Sequence, residues 1–416
     1  MRNKILFLTA FIFLTAVLTF AQESDSTKIS QLEKRIKKLE DKLEQDELGK
    51  LLKEAETVAN KQVEKKEIKE FKSGQRSLQA INPEISVIGD MYGQYIANDK
   101  SFTGDLRSGA FFRVLGLHFQ SNLDPFSFIK AAIEFRPAGF EFGEAYMTWT
   151  NIFPGVGLTA GKFRQQFGVI NRWHSHSLDQ FDFPLALTTI LGEEGLNQTG
   201  LSFDWIMPSI ISDANTLTLQ ITDGQNEQLF SGDMFSFPAG LLHLKNYWDL
   251  SRDTYLELGL TGMLGKNNQR GYDEEGNLIL ENSRLTALGG LDITVFWEPL
   301  NQARYHSFIW RTELYYANKK LMNDRIKAFG GYSYVEYKLD LQWQVGTRFD
   351  YTQPFETNNR SKYTWQIVPY ITWWQSNWVK LRLQYNYLNS TEIPTAQNTI
   401  RLQIVFAAGP HKHDRY

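Results

Sequence analysis

The chain of 416 residues contains no cysteine. This absence excludes disulfide bonds, thiolate metal sites and thiol nucleophiles, so the fold has to be stabilised by side-chain packing and backbone hydrogen bonds. A lipoprotein anchor is not expected either, because such an anchor requires a cysteine directly after the leader.

Long apolar runs are also scarce, and the only one lies at the N terminus. Residues 5–20 are almost entirely apolar, follow the basic residues Arg2 and Lys4, and precede the small residue Ala21. This order is typical of a secretory signal peptide over residues 1–21, so we expect export and cleavage after Ala21. No later stretch approaches the roughly 18 apolar residues of a spanning helix, which excludes an α-helical membrane protein.

An excess of either charge is missing as well. The net charge is −3, and beyond Ala80 the chain has 28 basic and 34 acidic residues. The basic residues are dispersed among acidic ones, so nucleic-acid binding is not expected. Aromatic residues, in contrast, are abundant at 14% (29 Phe, 18 Tyr and 11 Trp). This bias is typical of β-barrels that carry aromatic girdles at the membrane interfaces.

Residues 22–80 form a charged segment and linker with helical periodicity. Apolar residues recur at spacings of three and four among Lys, Glu and Asp, at Ile29, Leu32, Ile36, Leu39 and Leu43. This heptad pattern predicts a short coiled coil through which subunits associate. Asp46 occupies the next core position, so a single charged amphipathic helix is the alternative.

Beyond Lys72 the period of the sequence changes to two residues. Near the C terminus, apolar residues on one face alternate with a polar row formed by Lys380, Arg382, Gln384 and Asn386. Charged residues on the second face would not fit the packed core of a small barrel, so the pattern predicts lipid on one face and water on the other.

Sixteen segments with this alternation are present, an even number as bacterial single-chain barrels require. We therefore expect an all-β membrane protein with a 16-stranded antiparallel transmembrane β-barrel over residues 81–408, after the short N-terminal α-helical coiled-coil segment. The strands are predicted near residues 85–96, 109–121, 126–136, 140–150, 156–165, 198–207, 215–223, 240–250, 254–264, 285–298, 304–317, 328–337, 340–351, 361–374, 377–388 and 398–408. Short connections alternate with longer ones, which predicts periplasmic turns, external loops and both chain ends in the periplasm.

Residues 166–197 form the longest connection, and a connection of this length usually has a function. We expect it to fold back into the barrel and to narrow the pore with charged groups that select solutes. The residues expected at this constriction are His174, His176, Glu193 and Glu194. An ordered external loop whose aromatic residues contact the rim is the alternative.

Two histidine pairs suggest other chemistry. His174 and His176 could bind Zn²⁺, or one of them could act as a base for Ser175 in a barrel-embedded hydrolase. Ser175 lacks the glycine-framed turn of a nucleophilic serine, and a histidine pair at this spacing has many explanations other than metal binding or catalysis. No metal or catalytic site is therefore predicted. His411 and His413 lie in the expected periplasmic tail, residues 409–416, where a solvated basic tail is the default and a metal-binding tail is the alternative. Tyr416 is an aromatic terminus, although Phe406 is the better candidate for the end of the last strand.

Two local motifs carry a resemblance to a known family. Residues 161–168 read Gly-Lys-Phe-Arg-Gln-Gln-Phe-Gly, and residues 191–196 read Leu-Gly-Glu-Glu-Gly-Leu, followed by Gly-Leu-Ser-Phe-Asp-Trp at residues 200–205. Together with the order of leader, heptad segment and barrel, they make the chain similar to the phosphate-selective porin O and porin P family, in particular its Bacteroidetes-type members.

The resemblance implies a trimeric channel in which anions such as phosphate pass along inward-facing basic residues. A guanidinium donates two hydrogen bonds to phosphate, and weak binding at several sites lets the ion leave. The candidate pore-lining residues are Arg136, Lys162, Arg164, Arg172, Arg311, Arg348, Lys380, Arg382 and Arg401. Acidic residues share the predicted inner face, so a general or differently selective porin is the alternative.

The sequence thus predicts an outer-membrane porin for passive diffusion of small hydrophilic solutes, without enzymatic activity and without a cofactor. The expected partners are outer-membrane lipid and lipopolysaccharide, two identical subunits and a small inorganic or hydrophilic solute. A receptor or a barrel-embedded enzyme that uses residues 166–197 is the alternative. The N-terminal segment is too short and too polar to fold a plug domain.

Overall fold

The fold is that of a computed structural model of the chain. The structure describes residues 83–97, 107–230, 238–267, 270–272, 275, 278–280 and 283–409. The predicted signal peptide (1–21), the charged helical segment (22–80), and His411 and His413 of the tail lie outside the described residues.

Sixteen antiparallel strands close into one barrel, as the alternation of the sequence predicts. The first and last strands pair to close the barrel, for example where Met91 pairs with Ile404. The barrel strands are β1 (Glu84–Ile96), β2 (Gly109–Asp124), β3 (Ser127–Arg136), β4 (Gly139–Phe153), β5 (Val156–Arg164), β6 (Asn197–Met207), β7 (Ala214–Thr222), β8 (Ala239–Ser251), β9 (Thr254–Asn267), β12 (Arg284–Trp297), β13 (Ser307–Lys320), β14 (Arg325–Lys338), β15 (Trp343–Thr352), β16 (Thr364–Ser376), β17 (Val379–Ser390) and β18 (Gln397–Ala408).

Two short strands lie outside the barrel. In the connection between β9 and β12, β10 (Arg270–Tyr272) and β11 (Leu278–Leu280) pair with each other as a separate sheet. Among the described residues, no helix is long and apolar enough to cross a membrane.

The connections divide the barrel into two ends. At the turn end, several connections are tight, such as residues 125–126, 154–155, 252–253 and 377–378. At the opposite end, the loop end, lie the long connections such as residues 165–196 and 353–363, together with two short ones at 137–138 and 321–324. The alternation of connection lengths is therefore less strict than the sequence predicts.

The two faces of the wall differ in polarity. On β17 the outward residues Leu383 and Tyr385 are 49% and 37% exposed, whereas Arg382 on the inner face is 3% exposed. Large exposed apolar residues also continue around the outside of other strands, and aromatic residues such as Phe126 and Phe153 lie at the turn end. An apolar outer belt and a closed hydrogen-bond ladder satisfy the two requirements of a chain surrounded by lipid.

Candidate functional site

The connection between β5 and β6 enters the barrel. The pairing of β5 with β6 stops at Arg164 and Asn197. The neighbouring β4 extends further toward the loop end, to Gly139. Residues 165–196, here called the inner loop, leave the wall at this point and contact the inner faces of β1–β4 and β13–β18. The prediction that this segment folds into the barrel agrees with these contacts.

The base of the inner loop is closed by one asparagine. Asn171 is completely buried; its side-chain amide donates to the carbonyl oxygens of Gln165 and Leu196 at 2.9 and 3.0 Å, and its Oδ1 accepts the N–H of Leu196 at 2.8 Å. Gly195 has φ of +69°, and a Cβ there would lie 2.3 Å from Asn171 Oδ1. Only glycine combines this backbone conformation with so close an approach.

Glu313 of β13 holds the start of the loop. Its buried carboxylate accepts the N–H groups of Val169 and Ile170 at 3.2 and 3.0 Å and the hydroxyls of Tyr315 and Tyr332 at 2.7 and 2.6 Å. Gly168, which precedes these two N–H groups, has φ of +65°, and a Cβ there would lie 2.1 Å from Glu313 Oε2. The last glycine of the 161–168 motif therefore makes room for this carboxylate.

Basic residues of the opposite wall hold the middle of the inner loop. Lys380 donates to the carbonyl oxygen of His176 at 3.0 Å, and Arg382 donates to that of Leu178 at 3.1 Å. Arg348 donates to Asp182 Oδ1 at 2.9 Å and to the Asp182 carbonyl oxygen at 2.7 Å. The cations thus bind loop carbonyls and a loop carboxylate.

Asp182 is the acidic centre of these contacts. It forms ion pairs with Arg348 at 2.9 Å and with Arg401 at 3.3 Å. Burial by itself raises the pKa of the Asp182 carboxyl, but the two guanidinium groups outweigh burial and hold this pKa below its usual value. The carboxylate is therefore charged at neutral pH, and the loop is fixed electrostatically to β15 and β18.

Three histidines meet where the inner loop contacts β2–β4. The ring of His118 on β2 contacts the rings of His174 and His176 at centroid distances of 4.9 and 5.2 Å. His174 lies between two carboxylates, with Nδ1 at 3.1 Å from Glu134 Oε1 and Nε2 at 2.9 Å from Glu144 Oε2. Because both nitrogens of His174 contact carboxylates, neither is available as a base for Ser175.

The second half of the inner loop forms an apolar core inside the barrel. Helix α1 (Leu185–Leu191) ends at Gly192, which has φ of +97°, and buries Ala186, Leu187, Ile190 and Leu191. These side chains belong to one cluster with inner-face residues of the wall, among them Leu241, Met263, Leu288, Ile309, Ala317 and Ala328.

A second connection covers this helix. Asn226, in the segment between β7 and β8, donates to the carbonyl oxygen of Leu191 at 2.7 Å, and Leu229 and Phe230 join the apolar cluster. The prediction of water along the whole inner face is therefore wrong in two places. Helix α1 covers the apolar patch, and the inner loop covers the row that contains Lys380 and Arg382, which are only 2% and 3% exposed.

A polar cleft remains between the inner loop and the wall from β2 to β7. Its volume is about 260 Å³, and one side is lined by hydroxyl, amide and aromatic residues such as Gln120, Tyr146, Thr148, Thr159 and Ser202. Its charged lining residues are Lys130 of β3, Arg164 of β5, Arg172 of the inner loop and Asp204 of β6. Asp204 accepts hydrogen bonds from Ser202 and Thr218.

The predicted pore-lining residues fall into three groups. Arg164 and Arg172 line the cleft. The side chains of Arg348, Lys380, Arg382 and Arg401 bind the inner loop, and Arg311 lies over the Trp173 ring at 4.9 Å and donates to Tyr334. Arg136 forms an ion pair with Glu134 at 2.7 Å, and Lys162 donates to the carbonyl oxygen of Phe142 at 2.9 Å.

The four residues predicted at the constriction also lie in different environments. His174 and His176 are buried in the contact with the wall. Glu193 and Glu194 are exposed in the turn after α1, where the carbonyl oxygen of Glu194 accepts a hydrogen bond from Arg164 at 2.9 Å. Three residues of the site, Lys130, Asn171 and Asp204, were not predicted from the sequence. Lys130 and Asp204 were detectable from alternation on β3 and β6, whereas Asn171 carries no pattern of its own.

Within the described part of the chain, no group of three or more His, Asp or Glu side chains has a geometry that could hold a metal ion. The suggestion that His174 and His176 bind Zn²⁺ has no support from this geometry.

Comparison of the sequence with known proteins gives a partial match. No protein-family profile matches the chain. An uncharacterized protein of Aquifex aeolicus (strain VF5) is 25% identical over 252 residues, which cover 56% of this chain and 52% of that protein, so the match spans about half the length of this relative.

Solved structures resemble the barrel over most of the described residues. The anion-selective porin of Comamonas acidovorans has a TM-score of 0.53 at 12% identity, covering 79% of this chain and 99% of the porin. In its trimer form, the in-vitro folded outer-membrane protein OmpT of Vibrio cholerae has a TM-score of 0.51 at 10% identity, covering 79% of this chain and 100% of OmpT. The fold is thus a porin-like sixteen-strand barrel, and its apolar outer belt makes the chain an outer-membrane β-barrel protein of the Gram-negative type.

Proposed function

We propose that the barrel is a passive diffusion channel for small hydrophilic solutes and that the inner loop is its constriction. The observation that carries this proposal is the path of the loop, which crosses the barrel interior and leaves a polar cleft along β2–β7. A loop that restricts the passage selects solutes by size and charge.

We further propose that the channel prefers anions, among them phosphate. Lys130, Arg164 and Arg172 line the cleft against one carboxylate, that of Asp204. A surplus of fixed positive charge in a narrow passage with low-dielectric walls raises the local concentration of anions. This support comes from the cleft alone, because the cations on β15, β17 and β18 are engaged by the inner loop.

Planar-bilayer recording tests both parts of the proposal. The purified protein should show stepwise conductance, and its reversal potential under a KCl gradient should indicate anion preference. Neutralising Arg172→Gln and Lys130→Gln together should reduce this preference and weaken any block by added phosphate. Lys362→Gln is the matched control, because Lys362 lies in the connection between β15 and β16 at the loop end, has a side chain that is 40% exposed, and pairs with Glu392 at 3.1 Å.

The outcomes separate the two parts. Cation preference in the unmodified protein would be consistent with a channel but would contradict the proposed anion preference. The absence of any conductance in a folded, inserted protein would overturn the channel itself.

We also propose a homotrimer embedded in outer-membrane lipid and lipopolysaccharide. Support comes from the shared fold with OmpT of Vibrio cholerae, whose structure is described as a trimer form. Chemical cross-linking of the protein in native membranes should give a ladder that stops at the trimer; a ladder that stops at the monomer would contradict it.

A further inference from the structure

A buried histidine is bracketed by two acids at the contact between the inner loop and the wall. His174 is 5% exposed, while Glu134 on β3 and Glu144 on β4 are 2% and 5% exposed. The two ring nitrogens lie 3.1 and 2.9 Å from carboxylate oxygens on two different strands. One imidazole thus joins the loop to two neighbouring strands.

The protonation state of the ring decides whether both contacts are favourable. A neutral imidazole carries one N–H and can donate to only one carboxylate, whereas an imidazolium donates to both. In the neutral form the second nitrogen would direct its lone pair at a carboxylate oxygen in a buried site, which is repulsive. The geometry therefore fits the protonated form of His174.

The surrounding charges keep the two acids in place. Arg136 donates to Glu134 Oε2 at 2.7 Å, and the backbone N–H of Arg164 donates to Glu144 Oε1 at 3.2 Å. These bonds do not depend on the protonation of the imidazole. The other titratable or charged groups that face the site are Lys130 on β3, the Arg164 side chain, His118 on β2 and His176 of the inner loop.

We propose that His174, Glu134 and Glu144 form a proton-dependent latch, which holds the first half of the inner loop against β2–β4 while the imidazole is protonated. Loss of the proton removes one hydrogen bond and the attraction of the ring to both carboxylates, so the segment around His174 leaves β3 and β4. Arg113 on β2 still donates to the carbonyl oxygen of Phe181 at 2.6 Å. The loop remains attached to the opposite wall through Glu313 and Arg348. Release therefore changes the position of residues near His174 and leaves the barrel folded.

The pH at which the latch opens follows from the same contacts. Burial by itself lowers the pKa of His174, but the hydrogen bonds to Glu134 and Glu144 outweigh burial and raise this pKa above the usual histidine value. A contribution of this sign is present below the ordinary histidine pKa and is lost as pH rises through the raised value. The latch is therefore closed in mildly acidic solution and opens at a pH above the ordinary histidine pKa.

The absence of cysteine makes a direct test possible. A nitroxide attached to Ser177→Cys, three residues after His174, reports loop mobility by electron paramagnetic resonance in the full-length protein in lipid. Mobility should increase in one transition as pH rises from about 5 to about 10, which spans the titration range of histidine. Single-channel conductance should increase over the same range if the barrel conducts.

Three variants distinguish the latch from a general effect of pH. Glu144→Gln removes one of the two carboxylates and should move the transition down by about one pH unit or more. His174→Gln should give a mobile label at every pH. His306→Gln is the control, because His306 lies in the connection between β12 and β13 at the turn end, where its ring stacks on Tyr337 at a centroid distance of 6.2 Å.

The possible results each decide the proposal. A transition that moves with Glu144→Gln and is unchanged in His306→Gln supports the latch. A label with the same mobility at all pH values, or a transition that Glu144→Gln leaves in place, overturns it. Because label mobility is measured without ion flow, the latch can stand or fall independently of the channel.

Discussion

The guanidinium of Arg348 lies 2.9 Å from Asp182 Oδ1 and thereby joins β15 to the inner loop. Arg348 is fully buried and also pairs with Asp350 at 2.9 Å. One arginine therefore compensates two carboxylates that would otherwise face each other inside the barrel. This pair, the Glu313 contact and the His174 contact attach the loop to three different parts of the wall.

Replacing Arg348 should destabilise the protein strongly. Arg348→Met leaves the Asp182 and Asp350 carboxylates without their shared partner, and removal of one member of a buried pair costs about 3 kcal/mol or more. The free energy of unfolding in lipid vesicles, measured by urea titration, should fall by this amount. Arg325→Met, at an exposed position beside the β13–β14 connection, should change it by less than about 0.5 kcal/mol. Equal values for the two variants would show that the pair does not hold the loop.

The Asp182 carboxylate should make the free energy of unfolding depend on pH in acid. The pKa of Asp182 is held below its ordinary value of about 3.9, so its contribution is present above that value and is lost as pH falls through the lower one. Unfolding free energies of the unmodified protein and of Asp182→Asn should therefore differ at pH 7 and converge in acid. A difference that stays constant down to pH 2 would contradict the assignment of the charge to this ion pair.

Glu313 should tolerate an amide better than an apolar side chain. Glu313→Gln retains an oxygen for the Val169 and Ile170 N–H groups, whereas Glu313→Leu leaves both donors buried without an acceptor, at about 1–3 kcal/mol each. Hydrogen exchange should show faster exchange of these two amides in the Leu variant than in the Gln variant. Identical exchange rates would mean that the loop start has another acceptor.

Gly168→Ala tests the close approach of the loop to Glu313. The added Cβ would lie 2.1 Å from Glu313 Oε2 on a backbone with φ of +65°, so the loop start or the carboxylate has to move. We expect a loss of at least about 1 kcal/mol in stability and larger current noise in bilayers. Gly240→Ala is the matched control, because no atom lies within 4 Å of its added Cβ. A Gly168→Ala protein that behaves like Gly240→Ala would place the constriction elsewhere.

The barrel strands were predictable because alternation acts locally. All sixteen predicted strands correspond to strands of the barrel, since a residue at every second position faces lipid and has to be apolar there. The strand boundaries were less accurate, by up to three residues at both ends of the barrel. Polar residues such as Asn122 and Asp124 suggest an early turn, although their backbone groups still pair in β2.

The inner face was predicted only in part. Alternation correctly assigns Lys380, Arg382 and Arg348 to the inside, but it cannot show that the inner loop covers them. The motif glycines Gly168 and Gly195 were visible as a resemblance, while their physical reason, the approach of Glu313 and Asn171, required the tertiary structure.

The sequence by itself determined the absence of disulfides, the barrel class, the number of strands and the existence of a long loop after β5. These properties follow from composition and from a period of two residues, which each strand expresses within its own length. The tertiary structure alone decided which residues meet inside the barrel. Glu134, His174 and Arg348 are far apart in the chain, and their contacts arise because ring closure brings distant strands around a single loop. Contacts of this kind leave no periodic signal, since each depends on one pair of side chains and on the path of the loop between them.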